Sequence, residues 1–211
     1  MYVHKEEMMR KHLRQRGITD RAVLNAMWEV DRSLFVPDDL KDQTYNDSAL
    51  PIGMNQTISQ PFIVAYMAQA LRLSPEEVVL EVGTGCGYNA AVLSRIVSHV
   101  YSVEVIEWLV RVAAVNLNKA GIQNVSTRLG DGYLGWPEAA PFDAIVLTAA
   151  PPVIPEPLMY QLKIGGRLLA PVGTNLQRLF MLVRVKENYF DQRELIPVKF
   201  VPMTGEAQRR H

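Results

Sequence analysis

The run Leu80-Glu81-Val82-Gly83-Thr84-Gly85-Cys86-Gly87-Tyr88 places glycine at every second position where an apolar stretch gives way to a helix-prone one. Glycine lets the backbone approach a ligand closely and leaves N–H groups free at a helix N-terminus, which suits a polar, nucleotide-like group. A dinucleotide fingerprint needs a third glycine where Tyr88 stands, and no Gly-Lys-Ser/Thr follows to build a phosphate loop. Nicotinamide and ATP chemistry are therefore disfavoured. Glu104, nineteen residues past Gly85, ends the next β-branched run, where a carboxylate can accept both hydroxyls of a ribose. Gly130-Asp131-Gly132 ends a third run, and a carboxylate beside a free backbone N–H could read an adenine edge. Glu81 interrupts an apolar strand, a costly place for a charge without a partner; an amino group on the ligand would supply one. The expected ligand is a nucleoside that carries an amino group. Cys86 has no histidine near it in sequence to form a thiolate pair and is assigned no chemistry.

The elements that must position these groups follow from apolar spacing. From Pro75 onward strand and helix alternate. Strands are expected at Val78–Val82, Val100–Val105, Val125–Leu129, Phe142–Leu147 and Arg167–Pro171. Helices are expected at Tyr88–Ile96, at Ile106–Ala120 with Gly121 closing it, and near Glu156–Lys163. That alternation argues for an α/β fold with a Rossmann-like, doubly wound, mostly parallel sheet and helices on both faces. After Leu176 the helices stop, and Leu179–Val185 and Leu195–Val201, around a polar turn at Glu187-Asn188, read as antiparallel C-terminal edge strands. Ahead of the core, a charged helix from about His4 to Arg16 stops at Gly17. Thr19 or Asp20 then caps an amphipathic helix bearing Val23, Ala26, Met27 and Val30. Leu34–Gln56 reads as irregular chain, and Ser59 as the N-cap of a helix with Pro61 in its first turn. One domain over 1–211 is expected: an N-terminal helical and loop extension (1–58), a ligand-binding core (59–175) and a C-terminal β addition (176–211).

Composition narrows the partners. The 211 residues carry 22 Lys+Arg against 22 Asp+Glu, so no global field gathers nucleic acid or an anionic membrane. One cysteine forms no internal disulfide. The histidines (His4, His12, His99, His211) lack ligand spacing, so no metal is expected. A charged N-terminus and no apolar run near 18 residues point to a soluble cytoplasmic protein, with a monomer expected over an obligate oligomer.

The glycine loop, Glu104 and Asp131 at successive strand ends resemble the class I S-adenosylmethionine-dependent methyltransferases, which implies S-adenosyl-L-methionine as cofactor. Methyl transfer from a sulfonium is an in-line displacement that asks chiefly for positioning and exclusion of water. Amino-methyltransferases of nucleic acid often carry Asn or Asp, Pro-Pro and an aromatic residue after the fourth strand; here the run is Thr148-Ala149-Ala150-Pro151-Pro152-Val153. With no histidine placed as a base, an acceptor already anionic at neutral pH fits best.

A narrower likeness lies in Gln56-Thr57-Ile58-Ser59-Gln60-Pro61-Phe62-Ile63-Val64-Ala65. It continues through the glycine loop, Gly130-Asp131-Gly132, Phe142-Asp143-Ala144-Ile145-Val146, Gly165-Gly166-Arg167-Leu168 and Phe200-Val201-Pro202-Met203. These segments resemble the bacterial protein-L-isoaspartate O-methyltransferases over most of the chain. Asn55 stands where those relatives often have glycine, and Cys86 where serine is common. The resemblance implies methylation of the α-carboxylate of L-isoaspartyl residues in damaged proteins and peptides. It implies a catalytic Ser59 that orients the acceptor carboxylate. Gln56, Thr57, Ser59, Glu81, Gly83, Gly85, Glu104, Asp131 and Gly132 would hold the cofactor, and Thr57, Val201 and Thr204 the substrate. The alternatives are a class I methyltransferase with another acceptor and a non-catalytic S-adenosylmethionine-binding relative. Thr57-Ile58-Ser59 and the zero net charge weigh against the first. The presence of Ser59, Glu104 and Asp131 weighs against the second.

Overall fold

The computed structural model describes residues 2–209; His211 lies outside the described residues. Seven strands form one mixed sheet: β3 (Val78–Val82), β4 (His99–Glu104), β5 (Val125–Leu129), β6 (Phe142–Leu147), β7 (Leu162–Val172), β8 (Gln177–Lys186) and β9 (Tyr189–Val198). Their order is β5-β4-β3-β6-β7-β8-β9. Strands β3 to β7 pair in parallel, and β8 and β9 add antiparallel at one edge. Between β3 and β6 the strand order reverses, and the carboxyl ends of the strands there open the crevice in which such sheets bind ligands.

Side chains of β3 and β6 alternate between two cores. Val79, Ala144 and Val146 face helices α2 (Arg21–Glu29), α3 (Pro61–Leu71), α4 (Tyr88–Ser94) and α5 (Glu107–Lys119). Leu80, Val82, Ile145 and Leu147 face short elements, α6 (Glu156–Tyr160) and α7 (Glu206–Arg209), through Leu158 and Ala207. Helices thus cover both faces, one far more heavily than the other. The chain begins as a helical run, α1 (Tyr2–Glu7) continuing in a wide π turn to Leu13 and a tight turn to Arg16. Gly17 ends it at φ 91°. Asp20, not Thr19, caps α2, its carboxylate accepting from the N–H groups of Ala22 and Val23.

Three expectations are revised. The segment 34–56 is not wholly irregular: β1 (Leu50–Gly53) and β2 (Gln56–Ile58) form an antiparallel hairpin. Its two-residue turn, Met54-Asn55, has φ of 53° and 58°, the geometry of a hairpin turn that asparagine tolerates. The helix after Pro155 stops at Tyr160, and β7 starts at Leu162 because Phe142 N–H donates to Gln161 O and continues the ladder. Ser59 is not an N-cap. Pro61 sits first in α3 and pushes the preceding residue out of the helical region, so Gln60 (φ −50°, ψ 137°) takes the cap position without a side-chain bond. At the sheet's other end, Arg167 grips Glu77 with two 2.7 Å bonds and donates to Leu71 O, fixing α3 to β7.

Candidate active site

At the switch point the chain leaves β3 through Gly83 (φ 100°), Gly85 (φ 57°) and Gly87 (φ 91°) and enters α4. A Cβ on Gly83 would lie 2.3 Å from Thr148 Oγ1, so no larger residue fits while Thr148 stays in place. A cleft opens above this loop, lined by Gln56, Thr57, Ser59, Gly83, Gly85, Glu104, Gly132, Val201 and Thr204 among others. The structure therefore brings together in one cleft all but two of the residues named from the sequence.

Glu104, 6% exposed at the end of β4, is the electrostatic anchor of the cleft. Its Oε2 accepts from Gly85 N–H (2.8 Å), and its Oε1 accepts from Val105 N–H (2.9 Å) and Ile106 N–H (3.0 Å). One carboxylate thereby fixes the glycine loop to the start of α5 and satisfies donors that the helix itself leaves unpaired.

Glu81 and Asp131 do not line the cleft. Glu81 is fully buried, and its partners come from the chain: Ser102 Oγ–H donates to Oε2 (2.5 Å) and Asn89 Nδ2–H to Oε1 (2.8 Å), with Thr84 Oγ1 2.6 Å from Ser102 Oγ. No ligand amine is needed to satisfy the carboxyl. Asp131 accepts from Tyr133 N–H (2.9 Å) and from Glu206 N–H (2.8 Å), so it pins the C-terminal segment over the strand ends beside Gly132.

Burial pushes the Glu81 carboxyl up to about 7; the bonds from Ser102 and Asn89 pull it down and the Glu104 charge adds to the rise. The folded chain holds on Glu81 a proton that the unfolded chain releases between about pH 4.5 and 7. Its stabilising contribution is full below the lower value and is lost as pH rises through the upper one. Glu81→Gln is accordingly expected to flatten the fall in urea midpoint between about pH 5 and pH 8. A variant whose midpoint falls as steeply as that of the unaltered chain would contradict this assignment.

Ser59 is half-buried where the cofactor cleft meets a second groove, and its hydroxyl makes no hydrogen bond among the described residues. Thr57, Thr148 and Val201 line both spaces as well. Sequence reasoning missed Thr148, whose Oγ1–H donates to Gly83 O (2.5 Å) and reaches Val82 O (3.1 Å). Its signal was a polar residue ending an apolar strand. Ser102 and Asn89, the partners of Glu81, were missed too. Cys86 is buried under the loop, and burial pushes its thiol up to about 11, far from a nucleophile's range. Among the described residues no group of His, Cys, Asp and Glu could hold a metal ion, and no helix is long and apolar enough to cross a membrane.

The family model described as protein-L-isoaspartate(D-aspartate) O-methyltransferase matches residues 3–208. A protein-L-isoaspartate O-methyltransferase 1 from Geotalea uraniireducens is 54% identical over 205 residues, covering 96% of this chain and 94% of that one. A solved protein-L-isoaspartate O-methyltransferase superimposes with TM-score 0.88 at 31% identity, covering 96% of this chain and 67% of that one. A second, from Plasmodium falciparum and in complex with S-adenosyl-L-homocysteine, gives TM-score 0.84 at 25% identity, covering 95% and 98%. With a family model spanning nearly the whole chain and a relative this similar end to end, the chain belongs to the protein-L-isoaspartate O-methyltransferase family.

Proposed function

We propose that the chain moves a methyl group from S-adenosyl-L-methionine to the α-carboxylate of L-isoaspartyl residues in damaged proteins and peptides. The observation that carries this reading is the position of Ser59. A hydroxyl without a hydrogen-bond partner among the described residues stands where the cleft above the glycine loop meets a second groove. The chemistry of the lining fits the cofactor: a glycine loop without side chains at Gly83 and Gly85 that lets a ligand approach the backbone closely, the Glu104 carboxylate for ribose hydroxyls and the Gly132 backbone beside Asp131 for an adenine edge. Gln56 and Thr57 close the cleft from the hairpin. Glu81 acts from behind the wall, holding Asn89, itself a lining residue, and through Ser102 the Thr84 side of the loop.

The cofactor supplies an electrophilic methyl on a sulfonium. A carboxylate attacks it without a base, so the residues need only hold the acceptor oxygen in line and exclude water. Ser59 Oγ–H donates to the carboxylate and fixes its direction. Thr204 closes the cleft from the C-terminal segment that Asp131 ties down. Methoxide leaves the ester far more readily than oxide leaves a carboxylate, so the peptide nitrogen attacks the ester carbonyl, methanol departs with the amide proton, and water reopens the resulting succinimide to aspartate or isoaspartate.

Val201 holds the extended substrate. Its carbonyl accepts from Ala150 N–H (2.8 Å), while its own N–H makes no hydrogen bond among the described residues and is free to take a peptide carbonyl. Val201→Pro, which deletes that N–H, is expected to raise the peptide KM by about tenfold, checked by steady-state kinetics. An unchanged KM in a folded variant would remove the pairing. The chain acts as a cytoplasmic monomer of one domain, with proteins and peptides rather than nucleic acid as partners. Repeated turnover with an isoaspartyl peptide, followed by peptide mass mapping, tests the repair reading. Gradual appearance of the aspartyl isomer supports it, and a stable methyl adduct at any other group contradicts it.

A further inference from the structure

The groove that receives the acceptor is asymmetric in charge. Arg16 comes from the end of the N-terminal helical run, and Lys199 from the stretch after β9; both line the groove, and no acidic side chain does among the described residues. The rest of the wall is largely apolar, through Phe62, Ile196 and Phe200. Arg16 is held in place before any substrate arrives. Its guanidinium lies 3.6 Å from the centre of the Phe62 ring, and its Nη1–H donates to Asp47 Oδ2 at 2.6 Å. Asp47 does not line the groove, so it grips the guanidinium from outside it. A planar fork held by stacking and by one carboxylate keeps further donors for a second anion and loses little freedom on binding it. Lys199 is exposed and has no ion pair among the described residues. The groove wall thus offers an anion the remaining N–H donors of Arg16 and the uncompensated charge of Lys199, with no acidic side chain opposing them on that wall among the described residues.

Resting on the isoaspartyl reading of the same site, we infer that Arg16 and Lys199 select isoaspartyl segments with an acidic side chain next to the damaged residue. The groove shares Ser59, Thr57 and Val201 with the cofactor cleft. An isoaspartyl carboxylate at Ser59 therefore leaves its chain neighbours, spaced by about 3.3 Å per residue, in the groove whose wall carries both cations. Each half-exposed ion pair changes binding by about two- to fivefold, so exchanging a flanking Glu for Lys is expected to lower kcat/KM by about tenfold. The effect falls mainly on KM and shrinks as salt rises.

The test uses three isoaspartyl peptides, identical except for Glu, Gln or Lys beside the isoaspartyl residue. They are assayed with the full chain and with Arg16→Gln, Lys199→Gln and the double variant, at low and high salt. The expected order is Glu, then Gln, then Lys, with the Glu-to-Lys ratio collapsing towards one in the double variant. Lys199→Gln, on an exposed side chain, keeps the test open should Arg16→Gln fold poorly. Equal kcat/KM for the Glu and Lys peptides, or a preference that survives in the double variant, overturns the inference. Fluorescence-anisotropy titration of the same peptides, with S-adenosylhomocysteine present, separates the two claims. Charge-ordered binding without methylation would sink the repair reading alone, and equal binding of all three peptides with methylation intact would sink the charge selection alone.

Discussion

Replacing Ser59 by alanine is expected to lower kcat for isoaspartyl methylation by about one to two orders of magnitude, with a much smaller change in cofactor affinity. A hydroxyl that donates to a carboxylate contributes about 1.5 to 3 kcal/mol, or about ten- to a hundredfold in rate when the bond is made to the reacting group. The structure favours the larger part of that range, because the hydroxyl is not spent elsewhere. Pro61 moves the cap position to Gln60, so Ser59 has no backbone N–H to satisfy and faces the junction of cleft and groove. Ser59→Thr keeps the hydroxyl and is expected to retain a measurable part of the rate. Steady-state kinetics of the two variants, with S-adenosylhomocysteine binding by calorimetry, separate orientation from cofactor binding. A Ser59→Ala enzyme with unaltered kcat would remove Ser59 from the chemistry.

Glu104→Ala is expected to weaken S-adenosylhomocysteine binding by about a hundredfold or more, since single charge-assisted bonds contribute about 1.5 to 3 kcal/mol and this side chain makes three. The change strips the acceptor from Gly85, Val105 and Ile106 at once, loosening the glycine loop and the entry to α5, and it removes the group placed for the ribose. Glu104→Gln preserves the shape but offers one carbonyl oxygen for two acidic ones and is expected to fall between. Calorimetric titration checks both. Affinity within about threefold of the unaltered chain for Glu104→Ala would mean that loop and ribose are held by other groups.

Much of this arrangement is legible in the sequence because it follows from local periodicity. The β3 run, its glycines and the β-branched β4 locate the loop and Glu104 with no tertiary information. The 3.6-residue spacing of Leu109, Ala113 and Leu117, all buried, locates α5. Where local pattern and tertiary contact disagree, the sequence misleads. Ser59 carries a cap residue's chemistry, yet the proline two positions on decides the geometry. The β1–β2 hairpin is hidden because strands of four and three residues are too short to show alternation, and its turn depends on two residues at positive φ. Glu81 reads as a carboxylate short of a partner, because Ser102 and Asn89 come from other elements. Asp131 reads as a ligand contact, whereas one of its bonds reaches Glu206, seventy-five residues on.

The most direct test of the central claim is methyl transfer from labelled S-adenosylmethionine to two peptides that differ only in Asp against isoAsp, with Ser59→Ala alongside. Selective, base-labile labelling of the isoAsp peptide that falls in the variant is the predicted result. Equal labelling of both peptides, or none while cofactor binding is intact, would contradict it and leave the acceptor to be sought elsewhere.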